Sequence, residues 1–411
     1  MEFIRDIALP LDMGGRFALV LIAGIVFAEI AQRHLSLPRI VGYLIGGSLF
    51  GPSVLGVIHP DEMAPLNLVV EMVVGLMAFE LGSRVDLGWL RNNRWLLATG
   101  VLEAAATFVA VLAALRLFGV GRDTALLVSA ISIATSPTIV VRIVHELDAR
   151  GQVTERLLLL AALNGIFAIV AFKALVAFVE LDRGPAPLSA MLQPVYLLSG
   201  SFLLGLVSAA VLRFVFRLFS PQGGDAFVLA LSTVLLSGTV AYQFQLFAPL
   251  ALLLGGLLLR RKGARMTFFP PHFGTAGAVL VLLLFVLTGI GLDLAMAFAG
   301  GAAALAAVVA RLLAKSLVTG ALAVPSGLSM RKGFMLGVAL APMSSLALAL
   351  ARYPRLERLA EGAEVQALVT GCVVILELAG PVLCALAIRR AGEERAPIGG
   401  ENRNARTVQG F

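Results

Sequence analysis

Between Phe17 and Ile388 this chain is a succession of long apolar runs, with polar residues confined to short gaps. Hydrophobic residues make up 59% of its 411 positions and charged residues 14%, and the mean hydropathy is +0.95. A water-soluble domain carries nearer a quarter of its residues as charges, so these runs read as membrane spans. Lipid supplies no hydrogen bonds to a bare backbone, so every span must satisfy its own groups, which dictates helices. The expected fold class is an all-α polytopic membrane protein of thirteen spans. They lie near 16–33, 38–57, 65–83, 95–118, 123–146, 154–180, 190–218, 225–241, 246–260, 275–294, 298–323, 331–352 and 365–390, the eighth and ninth being short.

Two of these spans contain a proline among small hydroxyl residues. Span 5 reads Ala134-Thr135-Ser136-Pro137-Thr138, and span 12 reads Ala341-Pro342-Met343-Ser344-Ser345. Proline frees a backbone carbonyl and breaks the helical ladder, and within a membrane such a break must face protein or a water-filled cavity. Spans 1–6 and 8–13 form two six-span blocks, with span 7 between them, and each break falls in the fifth span of its block. Span 5 and span 12 enter from opposite sides, so the blocks are expected to be inverted repeats whose broken helices cross near the midplane. A matched pair of this kind points to a secondary transporter. The corresponding division is 1–15 as an N-terminal external segment, 16–390 as the transmembrane domain and 391–411 as a disordered polar tail. Within the domain, repeat one spans 16–180, the linker helix 190–218 and repeat two 225–390.

The formal net charge is +7. The basic residues sit in short loops, where they set membrane orientation rather than present a face to nucleic acid. One set of span ends is rich in them, with Arg33, Arg39, Arg84, Arg91, Arg94, Arg142, Arg150, Arg260, Arg261, Lys262, Arg331, Lys332, Arg389 and Arg390 among its members. The opposite ends hold only Arg5, Arg16, Arg116, Arg122, Arg183, Arg352, Arg355 and Arg358. The richer side is expected to be cytoplasmic, which puts the N-terminus outside and the C-terminus inside. The first span lacks a cleavable signal pattern and is expected to be retained. Cys372 and Cys384 lie in one span, about 18 Å apart on a helix, so they read as packing residues. The histidines His34, His59, His145 and His272 are scattered at loop edges, with no metal-ligand spacing. No phosphate loop and no nucleophile–base motif stands out, so no enzyme, no metal and no cofactor is expected.

The stretch Leu37-Pro38-Arg39-Ile40-Val41-Gly42-Tyr43-Leu44-Ile45-Gly46-Gly47-Ser48-Leu49-Phe50-Gly51-Pro52-Ser53-Val54-Leu55-Gly56 resembles the second helix of bacterial monovalent cation:proton antiporters. That family includes Na⁺/H⁺ exchangers and the membrane parts of glutathione-gated K⁺ efflux systems. Thr135 to Val141 with Arg142 and Glu146 is similar to its first crossing helix, and Phe285–Gly289 with Gly291-Leu292-Asp293-Leu294 to its loop after span 10. The resemblance covers about residues 16–390. It implies a mobile core beside a dimerisation domain, a homodimer in the bacterial inner membrane, and exchange of a monovalent cation for protons by alternating access.

In that family an acid on span 6 binds either the cation or the proton. A midplane carboxylate offers one negative charge, so the two ions compete for it. Here Asn164 matches the position before the acid, and Gly165 stands where the acid belongs. The expected ion- or substrate-binding residues are therefore Thr135, Ser136, Asn164, Gly165, Lys315, Ser344 and Ser345, with Pro137 and Pro342 as the helix breaks. Ionisable groups inside spans are functional candidates because burying them is costly. Lys315 matches a basic position that family exchangers place opposite the acid, and Arg311 lies one turn away on the same face. Glu103 in span 4 is the leading replacement acid and Glu377 in span 13 the next. Glu29 and Glu80 read as solvated groups at span ends, and Lys173 as a lysine snorkelling to the interface.

Three functions are compatible with this pattern. The first is a Na⁺ or K⁺/proton antiporter using a relocated acid. The second is a sodium-coupled or uncoupled anion carrier of related fold, since loss of the acid beside Arg311 and Lys315 leaves a positive core. The third is a non-transporting membrane sensor.

Overall fold

The computed structural model describes residues 12–58, 62, 66–85, 93–182, 188–219, 223–259, 274–343, 345–353, 356 and 359–395. Among these the regular structure is entirely helical. In chain order the helices are α1 (Met13–His34), α2 (Arg39–Phe50), α3 (Asn67–Arg84), α4 (Arg94–Leu117), α5 (Arg122–Ser132), α6 (Pro137–Glu146), α7 (Gln152–Asp182) and α8 (Leu188–Phe219). They continue as α9 (Gly223–Gln243), α10 (Ala248–Leu259), α11 (Gly274–Ile290), α12 (Leu294–Ala321), α13 (Met330–Ala339), α14 (Ser345–Ala351) and α15 (Gly362–Arg390). Every expected span has a counterpart. Span 5 is the interrupted pair α5 and α6, span 12 the interrupted pair α13 and α14, and each other span corresponds to one helix, α12 being kinked at Gly301. Among the described residues eight stretches are long and apolar enough to cross a membrane, the α5–α6 pair counting as one. The eighth span is longer than its sequence suggests, because α9 runs 21 residues; the ninth, α10, is indeed short at 12.

Helix starts are set by short polar side chains, which satisfy N–H groups that a helix leaves without partners. Asp12 accepts from Gly15 N at 2.8 Å, Asn93 from Leu96 N at 3.1 Å, Asp293 from Met296 N at 2.9 Å and Ser329 from Lys332 N at 3.3 Å. The glycines of the second span let backbones touch. A Cβ on Gly46 would lie 2.7 Å from Gly24 Cα in α1, and one on Gly51 the same distance from Ile290 O in α11. Close packing of small residues is the general solution where lipid gives no hydrophobic force between helices. It sandwiches α2 between α1 and α11.

Residues 391–395, expected to open a disordered tail, instead fold back on the bundle. Glu393 O accepts from Arg150 N at 3.0 Å, and Arg395 N donates to Leu147 O at 3.3 Å. The Glu393 carboxylate accepts from Val153 N (3.0 Å), Thr154 N (2.8 Å), Thr154 Oγ1 (3.0 Å) and Lys332 Nζ (3.2 Å). It therefore caps the start of α7 while tying α15 to α13. Burial pushes this carboxyl up, but the hydrogen bonds to the start of α7 and to Lys332 outweigh it and hold the group below the ordinary glutamate value. Residues 1–11 and 396–411 lie outside the described residues.

Two expectations about charged side chains are corrected. Glu80 is 3% exposed rather than solvated, and its carboxylate contacts Arg84 at 2.8 Å and His145 at 3.0 Å. His145, at the last turn of α6 as its loop-edge position suggests, makes an interhelix contact with α3 through this carboxylate. Lys173 is buried, and its ammonium lies over the ring of Tyr353 instead of reaching the interface. Glu29, by contrast, stays at a helix end, paired with Arg33 and with Arg39.

Candidate functional site

The two interrupted spans meet. α5 ends at Ser132, and α6 restarts at Pro137, whose missing N–H is no loss at a first helical position. Ser136 caps that restart, its hydroxyl accepting from Ile139 N at 3.4 Å. Residues 341–343 are the matching non-helical link between α13 and α14. Ser136 N donates to Pro342 O at 2.9 Å, and Thr135 Oγ1 donates to Leu340 O at 3.3 Å. The links from Ala134 to Ser136 and from Ala341 to Met343 are all buried. The breaks expected at Pro137 and Pro342 are therefore one contact, a crossing of two discontinuous helices.

Arg311 and Lys315, one turn apart on α12, point into this crossing. Arg311 is 1% exposed. Its guanidinium donates to Ser132 O (2.8 Å) and Ala134 O (2.7 Å) at the end of α5. It also donates to Leu340 O (3.2 Å), Ala341 O (2.7 Å) and Pro342 O (3.5 Å) at the end of α13. A helix C-terminus carries roughly half a negative charge. Two such ends facing each other total about one unit, which this single guanidinium answers. The planar fork of five donors reaches both ends at once, a geometry an ammonium cannot copy.

Lys315 is 0% exposed and pairs with Glu103 of α4, also 0% exposed. Its ammonium also donates to Ile133 O at 3.2 Å, which fastens the pair to the break. Thr107, one turn on from Glu103, donates to the same carboxylate oxygen at 3.2 Å. The other oxygen, Glu103 Oε2, has no hydrogen-bond partner among the described residues. Asn164 of α7 is 0% exposed and donates from Nδ2 to Thr135 Oγ1 at 3.3 Å, while its Oδ1 is also unpartnered among the described residues.

The structure thus brings together Thr135, Ser136, Asn164, Lys315, Glu103 and Pro342. Gly165 faces Leu346 of α14: a Cβ there would meet Leu346 Cδ2 at 3.4 Å, so the site has an apolar wall where the resemblance calls for an acid. Glu377 is buried on α15 but makes no hydrogen bond to the other site residues. Ser344 lies outside the described residues, as does the side chain of Ser345. Thr107 and the carbonyl cage around Arg311 are not singled out by sequence. Thr107 had a readable signal, since Glu103 and Thr107 are spaced i, i+4 on one face.

The family model described as "Sodium/hydrogen exchanger, transmembrane" matches residues 17–388. The chain belongs to the sodium/hydrogen exchanger family. Among solved structures it is similar to the sodium proton antiporter MjNhaP1 from Methanocaldococcus jannaschii at pH 8. That likeness has a TM-score of 0.65 and 17% identity, covering 92% of this chain and 98% of that one. An electron-microscopy structure of MjNhaP1 gives a TM-score of 0.66 at 16% identity, covering 93% of this chain and 96% of that one. No curated protein matches the sequence. The likeness to MjNhaP1 establishes the fold, that of an antiporter with crossing discontinuous helices. This exchanger-family member is accordingly a multi-pass membrane protein, with the buried Glu103–Lys315 ion pair beside its helix crossing.

Proposed function

We propose that this protein is a monovalent cation/proton antiporter working by alternating access, with Glu103 as the exchanged negative charge. The observation that carries the reading is the fully buried Glu103–Lys315 pair fastened to the helix crossing. Lys315 is the resident countercharge of Glu103. A Na⁺ or K⁺ arriving at the open Glu103 Oε2 competes for the same carboxylate. Two cations on one buried carboxylate repel at low dielectric, so cation entry favours loss of a proton from Lys315, and proton return expels the cation. Arg311 stays engaged by both half-helix ends and keeps the crossing together while the ions change.

The same geometry weighs against an anion carrier. The positive charge an anion would need is consumed inside the protein, Arg311 by five carbonyls and Lys315 by Glu103. We further propose the division into repeats at 16–180 and 225–390 joined by the helix at 190–218. The arginine-rich ends are cytoplasmic in a bacterial inner membrane, and the assembly is a homodimer.

The test is purified protein in liposomes loaded with a pH-sensitive dye. Addition of Na⁺, K⁺ or Li⁺ should drive proton movement in the native chain and none in Glu103→Gln. Equal proton movement in the two would overturn the assignment of Glu103.

A further inference from the structure

The charges around the crossing balance with one exception. Arg311 answers two half-helix ends and Lys315 answers Glu103, which leaves Glu377. Glu377 is 0% exposed, and neither carboxylate oxygen has a hydrogen-bond partner among the described residues. An isolated ion at such depth is costly, so this carboxylate requires a countercharge or a proton, and nothing in the pairs above supplies one.

A second feature converges on the same residue. Pro381 lies inside α15. Proline has no N–H to give to the carbonyl four residues earlier, and that carbonyl is Glu377's own. The carbonyl of Glu377 thus lacks its helical donor, next to a carboxylate with no hydrogen-bond partner among the described residues; hard oxygens at a broken membrane helix are what alkali cations take. Gly380, between them, packs on the break itself: a Cβ there would lie 2.8 Å from Pro342 Cα. Glu377 is one turn further along, about 4.5 Å of helix rise. A cavity comes within one helical turn of it. It measures about 80 Å³ and opens beside Asp293, Met296 and Arg352, with Thr370, Val373 and Val374 of α15 in its wall. That volume accommodates water, and Val373 is the turn before Glu377.

We infer that Glu377, beside the helix break made by Pro381 and one turn from this cavity, is a second monovalent cation site that carries a proton when the cation is absent. The inference rests on the antiporter reading and its two repeats. In that division α15 is the sixth span of its block, as α7 is of the first. The acid missing at Gly165 on one sixth span has a counterpart on the other. The helices packed against α15 are α2, α5, α6, α12, α13 and α14. Their mid-helix charges are Arg311 and Lys315, both engaged. The remaining charges lie in the first turns of α2, α5 and α13 or the last two turns of α6.

The experiment is labelling of the purified full chain by a hydrophobic carbodiimide, which reacts with membrane-buried carboxylic acids, read by mass spectrometry with and without Na⁺, K⁺ or Li⁺. Adduct at Glu377 should form and should fall about tenfold when the free cation is about ten times its dissociation constant. Cation-induced thermal stabilisation provides the second measurement. It should persist in part in Glu103→Gln, vanish when Glu377→Gln is added, and weaken in Pro381→Ala, which restores the missing N–H. A Glu377 adduct insensitive to all three cations would overturn the proposal. So would cation stabilisation in Glu377→Gln equal to that of the native chain. Neither readout needs transport. A native protein that moves no protons yet shows cation protection of Glu377 would refute the antiporter reading and leave this site standing.

Discussion

Removing Lys315 alone should cost more than removing the whole Glu103–Lys315 pair. Both side chains are 0% exposed, so Lys315→Met strands a carboxylate, and stranding one member of a buried pair costs about 3–5 kcal/mol. Unfolding entropy is about 2.1 cal/mol/K per residue, or about 0.9 kcal/mol/K over 411 residues. The single substitution should therefore lower Tm by about 3–6 °C. The double variant Glu103→Leu/Lys315→Met replaces the pair with apolar groups of similar bulk, which is often neutral or stabilising. Thr107 loses an acceptor in that variant but can turn its hydroxyl to a backbone carbonyl in its own helix. The double variant should melt near the native value while having lost cation-driven proton movement. The assay is thermal unfolding in detergent followed by intrinsic fluorescence, with transport measured on the same preparations. A single variant as stable as the native chain, or a double variant as unstable as the sum of the two singles, would refute the reasoning.

Other consequences are more local. Arg311→Lys keeps the charge but cannot span both half-helix ends; losing even two charge-assisted hydrogen bonds at about 1.5–3 kcal/mol each should lower Tm and slow exchange together, read by the same two assays. Gly165→Asp places a carboxylate where the resemblance implies an acid and should create or strengthen cation-dependent proton flux; an unchanged flux in a folded variant would exclude that position from ion binding. Glu393, held below the ordinary glutamate value by its hydrogen bonds to the start of α7 and to Lys332, contributes stability that is present above that value. The contribution is lost as pH falls through the lowered one. Native protein should therefore lose stability on acidification more steeply than Glu393→Gln, as measured by Tm against pH.

Hydropathy was sufficient to expect an all-helical fold, because lipid forbids anything but self-satisfied helices. The broken pair was legible because proline chemistry is local and leaves its mark at Pro137 and Pro342. Partnerships across the fold were not. Glu103 and Lys315 are 212 residues apart, and span hydropathy cannot say whether Lys315 faces α4 or α15. Arg311 was open to either a core or a snorkelling reading until its five carbonyl partners were visible. Glu80 and Lys173 were misjudged for a shared reason. Each lies toward a helix end, where water is the default partner, and tertiary contacts with His145 and Tyr353 override that default. The docking of residues 391–395 was not legible because polarity alone does not reveal that one carboxylate, Glu393, finds the unsatisfied start of α7.

Competition at a single carboxylate is tested most directly by initial rates of exchange in liposomes, measured over a range of cation concentrations at several proton concentrations. A cation on Glu103 and a proton on Lys315 that exclude each other should raise the apparent KM for the cation in step with proton concentration while the maximal rate holds steady. A KM that stays fixed while protons lower the maximal rate would mean that the two ions bind without excluding each other.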